Sequence, residues 1–345
     1  MKREGHLWEK LVSIENIKAA YDNARKGKMY RPDVIRVCKD PMPYLLSVQK
    51  MLVEGTFQSS EYRMFTIIEK GKTREVADLP FYPDRIVHWA VMLVIHDMIM
   101  KNLIPQTYAA LPGRGSHLAV TTLKRYLKDE KRARFYLKID IKKYFPSIIQ
   151  DILMQKLRRK IKDEKFLDVI ERIVYQYPFS GLPIGNYTSQ YFANFYLSEL
   201  DHFMKEKYHC QYYMRYMDDI IILGESKTWL RRALKKIEKI IEPWGLTVKS
   251  NWCIRPISEG IDFVGYVTFP RYCLLRKRTK KRMKKATLRI IESLSNGTEP
   301  DAHIEGTIAS YYGCLKWCDG YNLYKCTIGL LNELIKARTW TLFKT

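Results

Sequence analysis

The amino-acid sequence predicts an α+β fold in which short antiparallel strand pairs interrupt a mostly helical chain. Residues 62–79 and 212–223 each read as a β-hairpin, because strand-forming runs flank a polar turn. Other segments repeat apolar residues at helical spacing, as in the strongly apolar stretch 84–104. The chain has 345 residues, about twice the length expected of one domain. We therefore expect two or three compact units.

The composition indicates a polyanionic partner. Lysine and arginine total 60 against 37 acidic residues, which gives a net charge of +23. This excess is typical of nucleic-acid binding, although a surface that serves solubility or an anionic membrane would also account for it. The chain has no apolar run long enough to span a bilayer, no secretory signal and no repeated CxxC spacing. These features predict a cytoplasmic protein with reduced thiols and no membrane partner.

The first half of the chain is expected to be mainly helical. Apolar residues recur at helical spacing within 7–55, and the hairpin that follows has its polar turn at 69–72. After the apolar helix 84–104, a loop at 111–117 carries two glycines and an arginine. A further helix is expected to begin near Leu118.

Two acidic sites are expected at the ends of strands. In 134–141, Phe135, Leu137, Ile139 and Ile141 alternate with Tyr136, Lys138 and Asp140, which predicts a half-buried strand with Asp140 pointing away from the apolar face. In the second hairpin, Asp218 and Asp219 fall at the bend. Between the two sites, a Gly185-Asn186 turn precedes a helical block at 188–206.

The remainder of the chain is predicted from shorter patterns. A helix is expected over 227–243, and short strands are expected around 246–249 and 261–267. The residues after 267 read mostly as helix and begin with a strongly basic tract.

Asp140, Asp218 and Asp219 together predict a metal site. Clustered carboxylates repel one another unless a hard cation neutralises them, and Mg²⁺ prefers oxygen ligands. Two such ions, about 3.5 to 4 Å apart, can activate a 3′-hydroxyl and stabilise departing pyrophosphate. Taken alone, each aspartate would be an ordinary strand terminator or turn residue.

Three sequence blocks resemble reverse transcriptases. The blocks are Leu137 to Ile148 (LKIDIKKYFPSI), Gly181 to Gln190 (GLPIGNYTSQ) and Tyr216 to Asp219 (YMDD). The first and third resemble the family's metal-binding strand and its YxDD hairpin. Most reverse transcriptases carry Gln-Gly-x-x-x-Ser-Pro in the second block, whereas this chain has Ile184 for the glutamine and Gln190 for the proline. That departure resembles the reverse transcriptases of diversity-generating retroelements.

The resemblance extends over nearly the whole chain and implies a right-hand polymerase. Its parts would be an N-terminal helical extension (1–60), fingers (61–134, with 142–185 shared between fingers and palm), a palm (135–267) and a helical thumb (268–345). The palm would hold an antiparallel sheet backed by helices.

The resemblance also implies roles for individual residues. Asp140, Asp218 and Asp219 would be catalytic and, with the Ile141 carbonyl, would hold two Mg²⁺ ions. The incoming nucleotide would meet Arg74, Lys142, Lys143, Tyr144, Phe145, Ile184, Gly185, Gln190 and Lys249. Of these, Arg74 would clamp the triphosphate, and Lys142, Lys143 and Tyr144 would offer it their backbone amides. Phe145 would exclude a 2′-hydroxyl. Ile184, in place of the family's glutamine, would loosen selection of the incoming nucleotide. Lys249 would protonate the departing pyrophosphate.

Each of these side chains also has a plainer interpretation. Arg74 would then be a surface arginine, Phe145 a core aromatic and Ile184 a packing residue. Lys249 would be a phosphate contact or an exposed lysine.

Nucleic acid would be held by two further segments. Phe263, Gly265 and Tyr266 resemble the primer grip, a tight hairpin under the primer end, although the apolar members would also suit packing. The tract 276–285 would bind phosphates, although a solvated basic face is the common alternative. Its basic residues are Arg276, Lys277, Arg278, Lys280, Lys281, Arg282, Lys284 and Lys285.

The function that the resemblance implies is RNA-directed DNA synthesis from deoxynucleotides. Such retroelement enzymes copy a template-repeat RNA into cDNA mutated at adenines and work with a small basic accessory protein that forms a pentamer. The template RNA and the primer or cDNA strand would be the other partners, in a bacterial, archaeal or phage-encoded setting. The alternatives are a group II intron or retron enzyme, a phage-defence reverse transcriptase, or a catalytically idle RNA-binding scaffold.

Overall fold

Helices and antiparallel strands alternate along the chain, of which the computed structural model describes residues 3–69, 72–296 and 302–333. The helices are α1 (Trp8–Val12), α2 (Ile14–Arg25), α3 (Pro32–Lys39), α4 (Pro41–Val53), α5 (Ile86–Lys101), α6 (Ser116–Leu127), α7 (Tyr144–Ser147), α8 (Gln150–Arg158), α9 (Glu164–Tyr175), α10 (Tyr187–Tyr196), α11 (Ser198–His202), α12 (Lys227–Ile241), α13 (Lys277–Ser295), α14 (Ala302–Leu315) and α15 (Tyr321–Tyr324). The strands are β1 (Arg63–Glu69), β2 (Lys72–Asp78), β3 (Phe135–Asp140), β4 (Tyr212–Tyr216), β5 (Asp219–Gly224), β6 (Cys253–Pro256), β7 (Ile261–Phe263), β8 (Tyr266–Thr268) and β9 (Cys273–Leu275). The predicted mixed class of helix and sheet is confirmed.

A four-stranded antiparallel sheet, in the order β4-β5-β3-β6, carries the acidic residues. On one face, Leu137 and Ile139 enter the main core with the buried side of α12. The prediction of a half-buried strand at 134–141 was incomplete, because the other face is partly covered as well. Tyr136 on that face is only 5% exposed and packs with Leu123 of α6.

The N-terminal helices share the main core with the rest of the chain. Leu11 of α1 and Leu45 of α4 are buried in the same cluster as Val91 of α5 and Leu137 of β3. The predicted boundary at residue 60 therefore does not separate two hydrophobic cores.

Two predictions made for the region after residue 245 need correction, and one strand there was missed. The expected strand at 246–249 makes only one bridge, between Val248 and Ile141. The strand beside β3 is instead β6, which sequence patterns missed because it is a short edge strand that ends in proline. The predicted helical thumb (268–345) begins inside the β7-β8-β9 sheet, so its first residues are extended before α13 begins.

Some predicted features fall outside the described residues. They are residues 70 and 71 of the hairpin turn, residues 1 and 2 of the N-terminal extension, and residues 297–301 and 334–345 of the thumb segment.

A buried ion pair supports the hairpin of β4 and β5. Arg215 and Asp201 are both 0% exposed, and the guanidinium donates hydrogen bonds of 2.6 to 3.0 Å to the carboxylate. Burial alone would lower the pKa of Arg215, but the Asp201 charge raises it above its ordinary value. Arg215 also donates to the carbonyls of Asn194 (3.0 Å) and Met217 (2.9 Å). Because Met217 lies in the turn between β4 and β5, the ion pair fixes the position of that turn.

The β1-β2 hairpin is attached to the segment that precedes α10. The Ala77 amide donates to the Ile184 carbonyl at 2.9 Å, and the Asn186 side chain donates to the Tyr62 hydroxyl at 2.8 Å. Gly185 has φ +127°, and a Cβ there would lie 2.4 Å from the Ala77 carbonyl oxygen. Only glycine permits this close approach.

We expect Asp201→Asn to lower the free energy of unfolding by about 3 to 5 kcal/mol, because it leaves the buried Arg215 charge unpaired. Urea denaturation followed by circular dichroism measures the change. The matched control is Asp22→Asn, which breaks the half-exposed pair with Arg25 and should cost about 1 kcal/mol or less. Equal losses in the two variants would contradict a supporting role for the buried pair.

We expect Gly185→Ala to release the β1-β2 hairpin, because the added Cβ displaces the Ala77 carbonyl. Hydrogen–deuterium exchange should accelerate at the Ala77 amide. The control is Gly55→Ala, where φ is +68° but nothing lies within 4 Å of the added Cβ, so that only a backbone strain of about 1 to 2 kcal/mol is added. Unchanged exchange at Ala77 would show that the contact with residue 185 does not hold the hairpin.

Candidate active site

Three aspartates meet where β3 and β5 pair. Asp140 is the last residue of β3 and lies directly opposite Asp219, the first residue of β5. Asp218 lies in the two-residue turn between β4 and β5, after Met217, whose φ of +56° is unusual for a side chain of that size. The Asp218 carbonyl accepts from the Ile141 amide at 3.3 Å, so that the turn is tied to the end of β3. The sequence analysis placed both Asp218 and Asp219 at the bend of the hairpin. In the structure, Asp219 is the first residue of β5, and only Asp218 lies in the bend.

Burial and neighbouring negative charge raise the pKa of two of these carboxyl groups, Asp218 and Asp219. Burial, together with the negative charge of Asp140, raises the pKa of Asp218 to about 6. Burial raises the pKa of Asp219 to about 7, a shift that Lys138 opposes and the charges of Asp140 and Asp218 increase. When the three carboxylates are ionised at neutral pH, they repel one another, and a bound cation would offset this repulsion.

Two lysines partly neutralise the cluster. The Lys249 ammonium pairs with Asp140, and its backbone amide donates to the Asp140 carbonyl at 2.8 Å. Lys138 lies 3.6 Å from the Asp219 carboxylate and donates to the backbone carbonyl of Asp262 at 2.5 Å. The structure therefore places Lys249, a predicted site residue, in direct contact with a predicted catalytic aspartate.

The donor set fits a hard divalent cation such as Mg²⁺. All three side chains offer carboxylate oxygens, and Asp219 Oδ1 is buried without a hydrogen-bond partner in the described part of the chain. Within residues 3–69, 72–296 and 302–333, no three His, Cys, Asp or Glu side chains are already arranged as a metal site. In the structure, Lys249 and Lys138 instead contact Asp140 and Asp219.

The residues after β3 pass beside the carboxylates. Lys142 and Lys143 are exposed, and Lys143 has a left-handed backbone with φ +45°. The Lys142 amide donates to the Thr247 carbonyl at 2.8 Å, so that this backbone amide already has an acceptor. Tyr144 is buried and donates to the Ala193 carbonyl at 2.5 Å, while the ring of Phe145 is half-buried against the main core.

The predicted residues of the second block lie in different surroundings. Ile184 is half-buried, and its carbonyl accepts from β2 as described above. Gly185 and Gln190 are exposed, the latter on α10. Arg74 is exposed on β2, opposite Ile67 of β1.

The predicted primer-grip residues form a tight hairpin whose large side chains are buried. Val264 and Gly265 make the two-residue turn between β7 and β8, with φ of +44° and +96°. Phe263 is 0% exposed and packs edge-on against Tyr216, whereas Tyr266 is 3% exposed and donates to the Cys314 carbonyl. The packing alternative therefore describes both aromatics, and the turn itself is the part that reaches the surface.

The basic tract forms the outer side of α13. Met283, Thr287 and Ile290 are buried at helical spacing, which turns the opposite side of the helix to solvent. The exposed basic residues are Lys277, Arg278, Lys280, Lys281, Arg282, Lys284 and Lys285. Arg276 differs from them because its guanidinium pairs with Asp262.

Sequence reasoning missed three residues that support the site. Lys138 carried a usable signal, because it lies two residues before Asp140 and therefore on the same side of β3. Arg215 also stood out as a charge within an apolar strand. Its partner Asp201 had no such signal, since the two meet only when α11 packs against β4.

No helix within the described residues is both long and apolar enough to cross a membrane. This finding is consistent with the absence of a long apolar run from the sequence.

Known proteins similar to this chain are group II intron and retron proteins. The group II intron-encoded protein LtrA of Lactococcus lactis subsp. cremoris is 28% identical over 44% of this chain and 27% of its own length. The retron Ec73 reverse transcriptase of Escherichia coli is 34% identical over 53% of this chain and 59% of its own length. The chain thus spans less than two thirds of either relative.

A solved structure is similar over a longer part of the chain. Telomerase from Candida albicans, in complex with the TWJ fragment of telomeric RNA, aligns with 71% of this chain and 55% of its own, at 13% identity and a TM-score of 0.49.

The family comparison covers the whole candidate site. Residues 66–268, more than half of the chain, match the family described as reverse transcriptase (RNA-dependent DNA polymerase). The matched range includes Asp140, Asp218, Asp219 and the strands that bring them together. The chain therefore belongs to the reverse transcriptase family.

Proposed function

We propose that this chain is an RNA-directed DNA polymerase whose reaction takes place at Asp140, Asp218 and Asp219. The observation that carries the proposal is the convergence of these three carboxylates at one end of the β3-β5 pair, within a chain that belongs to the reverse transcriptase family. The reaction joins the primer 3′-oxygen to the α-phosphorus of a deoxynucleoside triphosphate. The bond between the α- and β-phosphates breaks, and pyrophosphate leaves.

Two Mg²⁺ ions are the proposed cofactor. Asp140, Asp218 and Asp219, with the Ile141 carbonyl, would hold them. When bound, they would lower the pKa of the 3′-hydroxyl and neutralise charge on the triphosphate. Asp219 Oδ1, which has no hydrogen-bond partner among the described residues, supports this assignment, because a buried carboxylate oxygen without a donor favours a cation nearby.

The chain's own residues would position the nucleotide. Lys143 and Tyr144 would offer backbone amides to the triphosphate. The Lys142 amide, expected to do the same, donates to the Thr247 carbonyl instead, so that Lys142 would contribute its exposed side chain. Arg74, on the hairpin attached at Ile184, would clamp the phosphates by charge-assisted hydrogen bonds. The half-buried ring of Phe145 would lie under the sugar and exclude a 2′-hydroxyl.

Lys249 is proposed to supply a proton to departing pyrophosphate. Its contact with Asp140 holds an ammonium group within the site, which a general acid requires. A phosphate contact by the same ammonium group is the alternative role.

The larger parts of the proposed enzyme follow the right-hand arrangement. Residues 61–134 would form fingers and 135–267 a palm, with the helical segment from α13 onward as a thumb. The exposed basic side of α13 would bind template and primer phosphates, and the turn at Val264 and Gly265 would contact the primer end.

We further propose the diversity-generating subtype, in which a template-repeat RNA is copied with errors at adenines. The support is the second block, where Ile184 and Gln190 replace residues that most reverse transcriptases carry. A basic pentameric accessory protein would then be a partner. The similarity to LtrA and to the retron enzyme leaves the intron, retron and phage-defence alternatives open.

Primer extension on an RNA template tests the proposed activity. We expect Asp218→Asn and Asp219→Asn each to lower DNA synthesis at least about 100-fold, because each removes a proposed Mg²⁺ ligand. The control is Asp97→Asn, which alters an aspartate that is 88% exposed on α5. Synthesis that persists in both aspartate variants would overturn the site. No synthesis by the parent protein, with cognate RNA and accessory protein present, would favour the RNA-binding scaffold.

Sequencing of the products tests the subtype. We expect errors opposite template adenine in the parent protein and fewer in Ile184→Gln, because glutamine restores a polar contact near the nascent pair. Ile35→Gln is the matched control, since Ile35 is 41% exposed on α3. Accurate products from the parent would favour the intron, retron or defence enzymes. An unchanged error rate in Ile184→Gln would remove Ile184 from the explanation.

A further inference from the structure

A basic groove lies on the protein surface beside α12. It has a volume of about 570 Å³ and is lined by Tyr208, Trp229, Arg232, Lys235, Lys236 and Lys239. We call it the α12 groove. Its lining holds four cations and two aromatic rings but no acidic residue, and none of the four cations has an ion pair with a described residue. An adjoining pocket shares Trp229 and adds Arg132 together with one acid, Glu225.

The α12 groove lies away from the candidate active site. The buried side of α12, which includes Leu230, Leu234 and Ile237, packs into the main core on the face of the sheet formed by Leu137 and Ile139. Asp140 and Asp219 alternate with such residues and therefore belong to the opposite face. Trp229 lies against Gly224, at the far end of β5 from Asp219, about 17 Å along the strand. One nucleotide could not contact both places.

The two rings of the groove are held in place. Tyr208 and Trp229 have centroids 5.4 Å apart and an interplanar angle of 34°. A Cβ at Gly224 would lie only 2.8 Å from Trp229 Cε3, so glycine allows the indole to pack directly on the strand. Both residues are partly buried against the main core, while parts of both line the groove.

We propose that the α12 groove binds an unpaired segment of RNA outside the polymerase cleft. Arg232, Lys235, Lys236 and Lys239 would contact successive phosphates, and the exposed aromatic surface would stack on a base. Stacking requires bases that are free of pairing, which favours a single strand over a duplex. An acidic polypeptide would satisfy the cations but leave the rings without a stacking partner. This site goes beyond the proposed function, because it serves to anchor an RNA rather than to copy it.

Binding of a fluorescein-labelled 15-nucleotide oligouridylate tests the proposal. An excess of unlabelled primer–template duplex occupies the polymerase cleft, and no nucleotides are added, so the outcome does not depend on catalysis. We expect Lys235→Glu/Lys239→Glu to weaken binding at least about 10-fold. The slope of log affinity against log salt should fall by about 1.4, because two phosphate contacts are lost.

Lys10→Glu/Lys18→Glu is the matched control, since it makes the same change of charge at exposed positions of α1 and α2. We expect its affinity to stay within about 2-fold of the parent. Tyr208→Leu tests stacking separately and should weaken binding at least about 5-fold with no change in the salt slope. Thermal melting of each variant verifies that the fold is retained.

Three results would overturn the proposal. The first is unchanged affinity in both groove variants, and the second is an equal loss in the Lys10/Lys18 control, which would indicate a diffuse charge effect. The third is that the parent protein binds polyglutamate as tightly as oligouridylate, and that Lys235→Glu/Lys239→Glu weakens binding of both polymers while Tyr208→Leu weakens neither. That pattern would identify an acidic polypeptide as the occupant.

Discussion

The buried ion pair between Arg215 and Asp201 is the interaction on which the arrangement of the site depends. Its net contribution to stability is limited, because desolvation of two charges offsets much of their attraction. Its geometry is nevertheless directional, since the planar guanidinium bonds Asp201 on one edge and the Met217 and Asn194 carbonyls on others. In this way α10, α11 and the turn of the β4-β5 hairpin share one anchor. These bonds hold the turn that carries Asp218 in place, although Met217 has an unfavourable backbone conformation there.

Strand pairing in the sheet brings negatively charged side chains close together. Antiparallel pairing places Asp140 directly opposite Asp219, and the turn adds Asp218, so that three carboxylates share a partly buried volume. Lys249 and Lys138 offset part of the repulsion. The remaining imbalance makes the site receptive to cations. Burial, with the neighbouring negative charges as a further cause, raises the pKa values of Asp218 and Asp219.

Lys138 also connects the carboxylates to the basic helix α13. It lies near Asp219 and bonds the Asp262 backbone in β7, while the Asp262 side chain pairs with Arg276 at the start of α13. A continuous set of polar contacts thus runs from the site to the basic helix. The α12 groove lies beside the other face of the sheet, where α12 packs on Leu137 and Ile139.

The sequence by itself determined the elements and their chemistry. Alternation along 134–141, the YMDD turn and the helical spacing of apolar residues are local properties, and the hairpins and the positions of the three aspartates followed from them. It failed where structure depends on distant partners. The edge strand β6 is too short and proline-terminated to stand out, and the strand β9 forms only because β8 lies beside it.

Tertiary structure alone decided which side chains meet. The partnership of Arg215 with Asp201, the contact of Lys249 with Asp140 and the burial of Phe263 and Tyr266 all join segments that are separate in the sequence or covered by other elements. Alternation in a strand states which side a residue faces, but not what packs there. That difference is why the aspartates were predictable from the sequence, while the lysines that neutralise them and the groove behind them were not.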